Sequence, residues 1–155
     1  MRRFVIFSGL ALVVAFGLAA AGNLKNFGAH LSGGNEVPPV ATRAQGQVTF
    51  NVNSDGMSID YRLLVANIEN VRASHIHLSA AGVNGPVIVF LFGGPTIQGP
   101  FNGVLAEGTI TAADLIGPMA GQTLADLLTQ LEAGNLYVNV HTDAYPGGEI
   151  RGQLK

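Results

Sequence analysis

The chain has 155 residues, 21 of them glycine and none cysteine, with 12% charged side chains and a formal net charge of −2 at neutral pH. Such a length suits one domain that can bury a core of its own. The missing cysteines exclude disulfides, thiolate metal sites and cysteine nucleophiles, so any metal must be held by imidazole and oxygen. No basic cluster exists, and nucleic-acid binding therefore lacks its electrostatic footprint.

Arg2 and Arg3 form a positive n-region, "FVIFSGLALVVAFGL" an apolar h-region, and Ala19, Ala20 and Ala21 a small-residue cleavage pattern. These features predict a secretory signal peptide over residues 1–21, cut after Ala21. The apolar run is short for a retained anchor, so no membrane span is expected after cleavage. No cysteine follows the h-region, which excludes attachment by a lipoprotein route. Cleavage removes Arg2 and Arg3, leaving 6 basic and 10 acidic residues and a net charge of −4. The expected destination is outside the cell, the periplasm or the cell envelope.

Residues 22–30 read as a lead-in and residues 31–155 as the domain. "AHLSGGNEVPPV" carries Gly33, Gly34, Pro38 and Pro39, the marks of an edge strand and then a turn. "GQVTFNVN" alternates, with Val48, Phe50 and Val52 on one face. "NSDG" at 53–56 is a hairpin signal. "MSIDYRLLVA" alternates again through Met57, Ile59, Tyr61 and Leu63. In "VRASHIHLS", Ile76 and Leu78 share one face while His75, His77 and Ser79 share the other. "VIVFLF" is a continuous apolar run, which predicts a central strand. "FNGVLAEGTI" predicts a further strand, and Thr111 with Asp114 a short turn. Thr123 as cap, Asp126 at N3, leucines at 124, 127, 128 and 131, and Gly134 as a stop predict one short helix near 123–133. "NLYVNVHT" and "EIRGQL" close the chain. Leu136, Val138 and Val140 face the core, with Tyr137, Asn139 and His141 opposite. Glu149 and Arg151 alternate on one strand face, a pattern that predicts cross-strand pairing. The fold class expected is all-β, a Greek-key sandwich or barrel of about seven to eight strands.

Residues i and i+2 of a strand point to the same side, about 6.5–7 Å apart. His75 and His77 can therefore converge on one ion with nitrogen bonds of about 2.0–2.1 Å. His141 lies on the same kind of polar face and completes a three-histidine set if its strand is adjacent. Imidazole suits copper, zinc, iron and nickel; copper is the preferred expectation and zinc the alternative. Glu36 and Asp143 are candidates for groups that support the ligands from behind, against their ordinary roles in ion pairing and turn formation. His30 is expected on a solvated edge. No Gly-x-Ser-x-Gly elbow or other catalytic set is found.

"LSGGNEVPPV", "SHIHLSAAGVNGPVIVFLF", "GTITAADL" and "LYVNVHTDAYPGGEIRGQL" together resemble the chordin-type (CHRD) domain in its bacterial, stand-alone form. The resemblance runs from about Leu31 to Leu154 in the family's order and spacing. It implies a secreted or envelope β-sandwich module and supplies no catalytic residues. A weaker similarity is to copper-zinc superoxide dismutases, Greek-key barrels with a His-x-His strand and a later copper-ligating histidine. The histidine-rich zinc loop, the disulfide and the arginine pattern near the enzyme's end are missing, which counts against dismutase activity. Two readings stay open. One is a metal-binding domain with a copper-handling or redox-related role. The other is a non-catalytic structural or adhesion module that binds envelope proteins or polysaccharide.

Overall fold

The alternating runs form strands in the computed structural model, which describes residues 25–155. β1 spans Asn26–Ser32, β2 Gln45–Val52, β3 Ile59–Leu78, β4 Val87–Phe92, β5 Ile97–Ile110, β6 Leu136–Thr142 and β7 Ile150–Gln153. One helix, α1, spans Leu124–Glu132, capped by Thr123, whose side chain and backbone exchange hydrogen bonds with Asp126. The chain is all-β with a single short helix. The expected signal peptide lies outside the described residues. Among the described residues, no helix is long and apolar enough to cross a membrane.

β2 shows why the sheet closes as it does. Gly46, Val48, Phe50 and Val52 point inward and their neighbours outward. This strand lies antiparallel to β1 on one side and β3 on the other. β1 touches β7 through Ser32 and Arg151, β7 pairs with β6, and β6 pairs with the second half of β3. The pairings thus return to β3 and make a barrel-like ring, with β4 and β5 attached to β3 as well. Leu31, Phe50, Ile59, Leu63, Ile76, Leu136 and Ile150 fill it and are fully buried.

β3 is the hub, and its inward phase changes along its length. Ile59, Leu63 and Val65 point in, then Ile68 and Val71, then Ser74 and Ile76. Three register shifts account for the steps, at Val65/Ile68, Glu69/Val71 and Val71/Ala73. Asn67 and Asn70 take left-handed conformations (φ 55° and 52°), which asparagine tolerates better than most residues. Each is pinned there: the Asn67 N–H donates to Asn102 Oδ1 (2.7 Å), and Asn70 Oδ1 accepts from the Gly99 N–H (2.8 Å). After the last shift, His75 and His77 face away from the barrel interior.

Three expectations change. "VIVFLF" is not a central strand: β4 ends the sheet order and pairs with β3 alone. Its apolar character has another cause. Ile88, Val89 and Leu91 are buried, and the Ile116 N–H donates to the Ile88 carbonyl (2.9 Å), so the segment after β5 covers the free edge. β1 begins at Asn26, inside the expected lead-in. β5 begins at Ile97, earlier than "FNGVLAEGTI", and runs through Gly99 at φ 76°.

Candidate metal centre

The register between β3 and β6 sets the geometry. Ala73 lies opposite His141, His75 opposite Asn139, and His77 opposite Tyr137. The small side chain of Ala73 leaves His141 room to lean toward His75, and His75 Nδ1 sits 3.1 Å from His141 Nε2. Two nitrogens bound to one ion at about 2.0–2.1 Å lie roughly 2.9–3.4 Å apart for right-angled to tetrahedral geometry. The ligand atoms of His75, His77 and His141 all fall within 4.8 Å of one another. His30, exposed on β1, lies outside this cluster.

Backbone carbonyls choose the tautomers. His77 Nδ1 lies 2.9 Å from the Gly85 carbonyl and His141 Nδ1 lies 2.9 Å from that of Pro146. A carbonyl only accepts, so both Nδ1 atoms carry the proton in the neutral rings. Anchoring a ligand's other nitrogen in this way is how proteins orient metal-binding imidazoles. His77 Nε2 is 3.0 Å from the side-chain amide of Asn139.

All three rings are held neutral. Burial pushes the His75 pKa down to about 4, with help from the charges that His141 and His77 would carry. Burial also lowers His77, opposed by its bonds to Gly85 and Asn139, and lowers His141, opposed by its bond to Pro146. A neutral imidazole is the form that ligates.

Aromatic and cationic groups stack behind the ligands. His77 lies flat on Tyr137, with centroids 4.7 Å apart and planes within 6°. The Arg151 guanidinium covers the Tyr137 ring at 3.3 Å. Arg151 also donates to Asn84 Oδ1 (3.0 Å) and to the Val83 carbonyl (2.8 Å), so it ties the loop after β3 over this face. His75 meets Phe90 of β4 edge-on at 4.6 Å. The alternation of Tyr137 and Asn139 with core residues was legible, but their contacts with His77 depended on a register that no local pattern encodes.

The candidate supporting residues divide. Asp143 faces Arg72, with the Arg72 Nε 3.5 Å from Asp143 Oδ1, and Pro146 is the acceptor on His141. Glu36 is buried; burial raises its pKa against the opposing pull of Arg151 and the Val37 N–H. Its Oε1 has no hydrogen-bond partner and lies over Gly148 (φ 128°), where a Cβ would overlap it and stand 3.0 Å from Asn139 Nδ2. Glu36 therefore sits beside the amide that contacts His77. Glu149 and Arg151 do not pair with opposite charges across the strands: Glu149 accepts from Thr42 (2.6 Å) and Thr142 (2.7 Å).

Comparison with curated proteins and with solved structures returned no match to the chain. The family model of the CHRD domain matches residues 27–154, which takes in the barrel from the second residue of β1 onward and the three histidines, and the chain belongs to that family.

Proposed function

We propose that this CHRD domain is exported and binds one metal ion, copper by preference, through His75, His77 and His141, in a copper-handling or redox-related role. One observation carries the reading: three neutral imidazoles converge with their ligand atoms within 4.8 Å of one another, and two of them have Nδ1 anchored on a backbone carbonyl. A merely decorative histidine has no need of that arrangement. Imidazole-only ligation suits copper(II), and zinc is the alternative ion. The signal-peptide pattern at the N-terminus supports export, and N-terminal sequencing of the exported protein should begin at or near Gly22.

Titration of the metal-free mature protein with Cu(II), followed by electron paramagnetic resonance, tests the site. One copper per chain with nitrogen hyperfine structure is expected. His75→Ala, His77→Ala and His141→Ala should each weaken binding by at least about tenfold, and His30→Ala should leave it unchanged. Equal binding in all four variants would remove the site and leave the structural or adhesion module as the better account.

A further inference from the structure

We propose, resting on the metal reading above, that the loaded centre takes a small anion at an outward-facing coordination position, and that Arg72 draws the anion in. The candidate ligands are three imidazoles, and no carboxylate joins the cluster. Asp143 is turned to Arg72, and Glu36 lies by Asn139 and Gly148. A divalent ion held this way keeps its whole charge. Three protein ligands also leave at least one position open in a four-coordinate site. The ligand that fits there is an anion.

The opening has a direction. His77 is buried, whereas His75 and His141 are half-buried and line a cavity of about 350 Å³ with Arg72, Ala73 and Pro146. Arg72 reaches this cavity because of the last register shift in β3. Val71 pairs with Thr142 and Ala73 with His141, so Arg72 is the extra residue of a bulge. In a regular strand, neighbours point to opposite faces; the bulge re-aims Arg72 to the side of Ala73 and His75. Arg72 is the one charged residue lining that cavity. Its contact with Asp143 is between half-exposed groups at 3.5 Å, a weak pair that leaves guanidinium N–H groups to spare. A cation at the mouth of a cleft raises the local concentration of anions. Phe90, 57% exposed and packed against His75, adds an apolar wall that favours a small ligand.

The test uses the mature protein loaded with one Cu(II) and titrated with sodium azide at low ionic strength. The readouts are azide-to-copper charge-transfer absorption and the paramagnetic resonance spectrum. Saturable azide binding is expected in the parent, about fivefold weaker in Arg72→Gln, restored in Arg72→Lys and tighter in Asp143→Asn. Added salt should shrink these differences. Copper loading is read before azide is added, so a parent that takes no copper sinks the metal reading itself. Copper-loaded protein that takes no azide, or takes it equally in the parent and all three variants, overturns the anion site and leaves the metal reading standing.

Discussion

Tyr137 and Arg151 illustrate how single side chains hold the outer face of β6 and β7 together. Arg151 is almost wholly buried, yet its charge meets a ring face, an amide oxygen and a carbonyl. Stacking beneath it orients Tyr137, and Tyr137 in turn orients His77. At the centre of this group the histidines are neutral, and that has a thermodynamic consequence. The folded pKa of His75 is about 4, while the unfolded chain titrates near 6.5. Between those values the unfolded state binds a proton that the folded state refuses, so stability rises with pH across that window and is lost on acidification. His77 and His141 shift in the same direction. Glu36 works oppositely: its raised pKa adds stability on the acid side, which fades as pH rises through its folded value. Urea unfolding of metal-free protein should show a loss of about 1–2 kcal/mol for His75 alone from pH 6.5 to 4, after discounting for its partial exposure. His75→Asn should flatten that slope. A parent whose stability is level across the window would contradict the neutral assignment.

At the scale of elements, β3 decides where the histidines point. Its residues from 59 to 65 and from 74 to 78 bury opposite parities, and the shifts at Asn67, Asn70 and Arg72 reconcile them. A slip of one residue exchanges the two faces of a strand. Inserting one alanine between Ser74 and His75, where the pairing with β6 is regular, sends His75 and His77 toward the core and Ile76 outward. The insertion should cost more than about 4 kcal/mol, the range that marks lost packing, and should abolish copper binding. Arg72→Ala keeps the backbone count and should retain both fold and metal. Chemical denaturation and copper titration of the two variants measure the contrast. If the insertion unfolds no more easily than the parent, the register of β3 does not set the facing. Local patterns made much of this legible. Alternation placed Val48, Phe50 and Val52 inward and set His75 and His77 opposite Ile76, and the cap at Thr123 located α1. The continuity of β3 through residues 66–73 was not legible, because left-handed asparagines interrupt every simple period. "VIVFLF" misled for a related reason: a segment from elsewhere in the chain covers its free edge, so an edge strand is as apolar as one within a sheet.

The whole molecule ties the candidate centre to global stability. His75 and His77 lie on β3, which pairs with β2, β4, β5 and β6, and His141 lies on β6. Opening the ring therefore separates His141 from the other two ligands, and an unfolded chain holds no preformed triad. An ion that binds the native state alone stabilises it by RT ln(1 + [M]/Kd), about 2.7 kcal/mol at a hundredfold excess over Kd. For a domain of this size, each kcal/mol moves the melting temperature by roughly 3–5 °C, so copper should raise Tm by about 10 °C. No disulfide competes with this effect, because the chain has no cysteine. The shift should grow with the logarithm of free copper and vanish in a variant with His75, His77 and His141 all changed to alanine. Calorimetry of parent and variant across a range of free copper gives both quantities. A copper-dependent rise that persists in the triple variant would place the binding elsewhere on the chain. A parent whose Tm ignores copper would show that the three imidazoles, close and neutral as they are, do not hold the ion in the folded state.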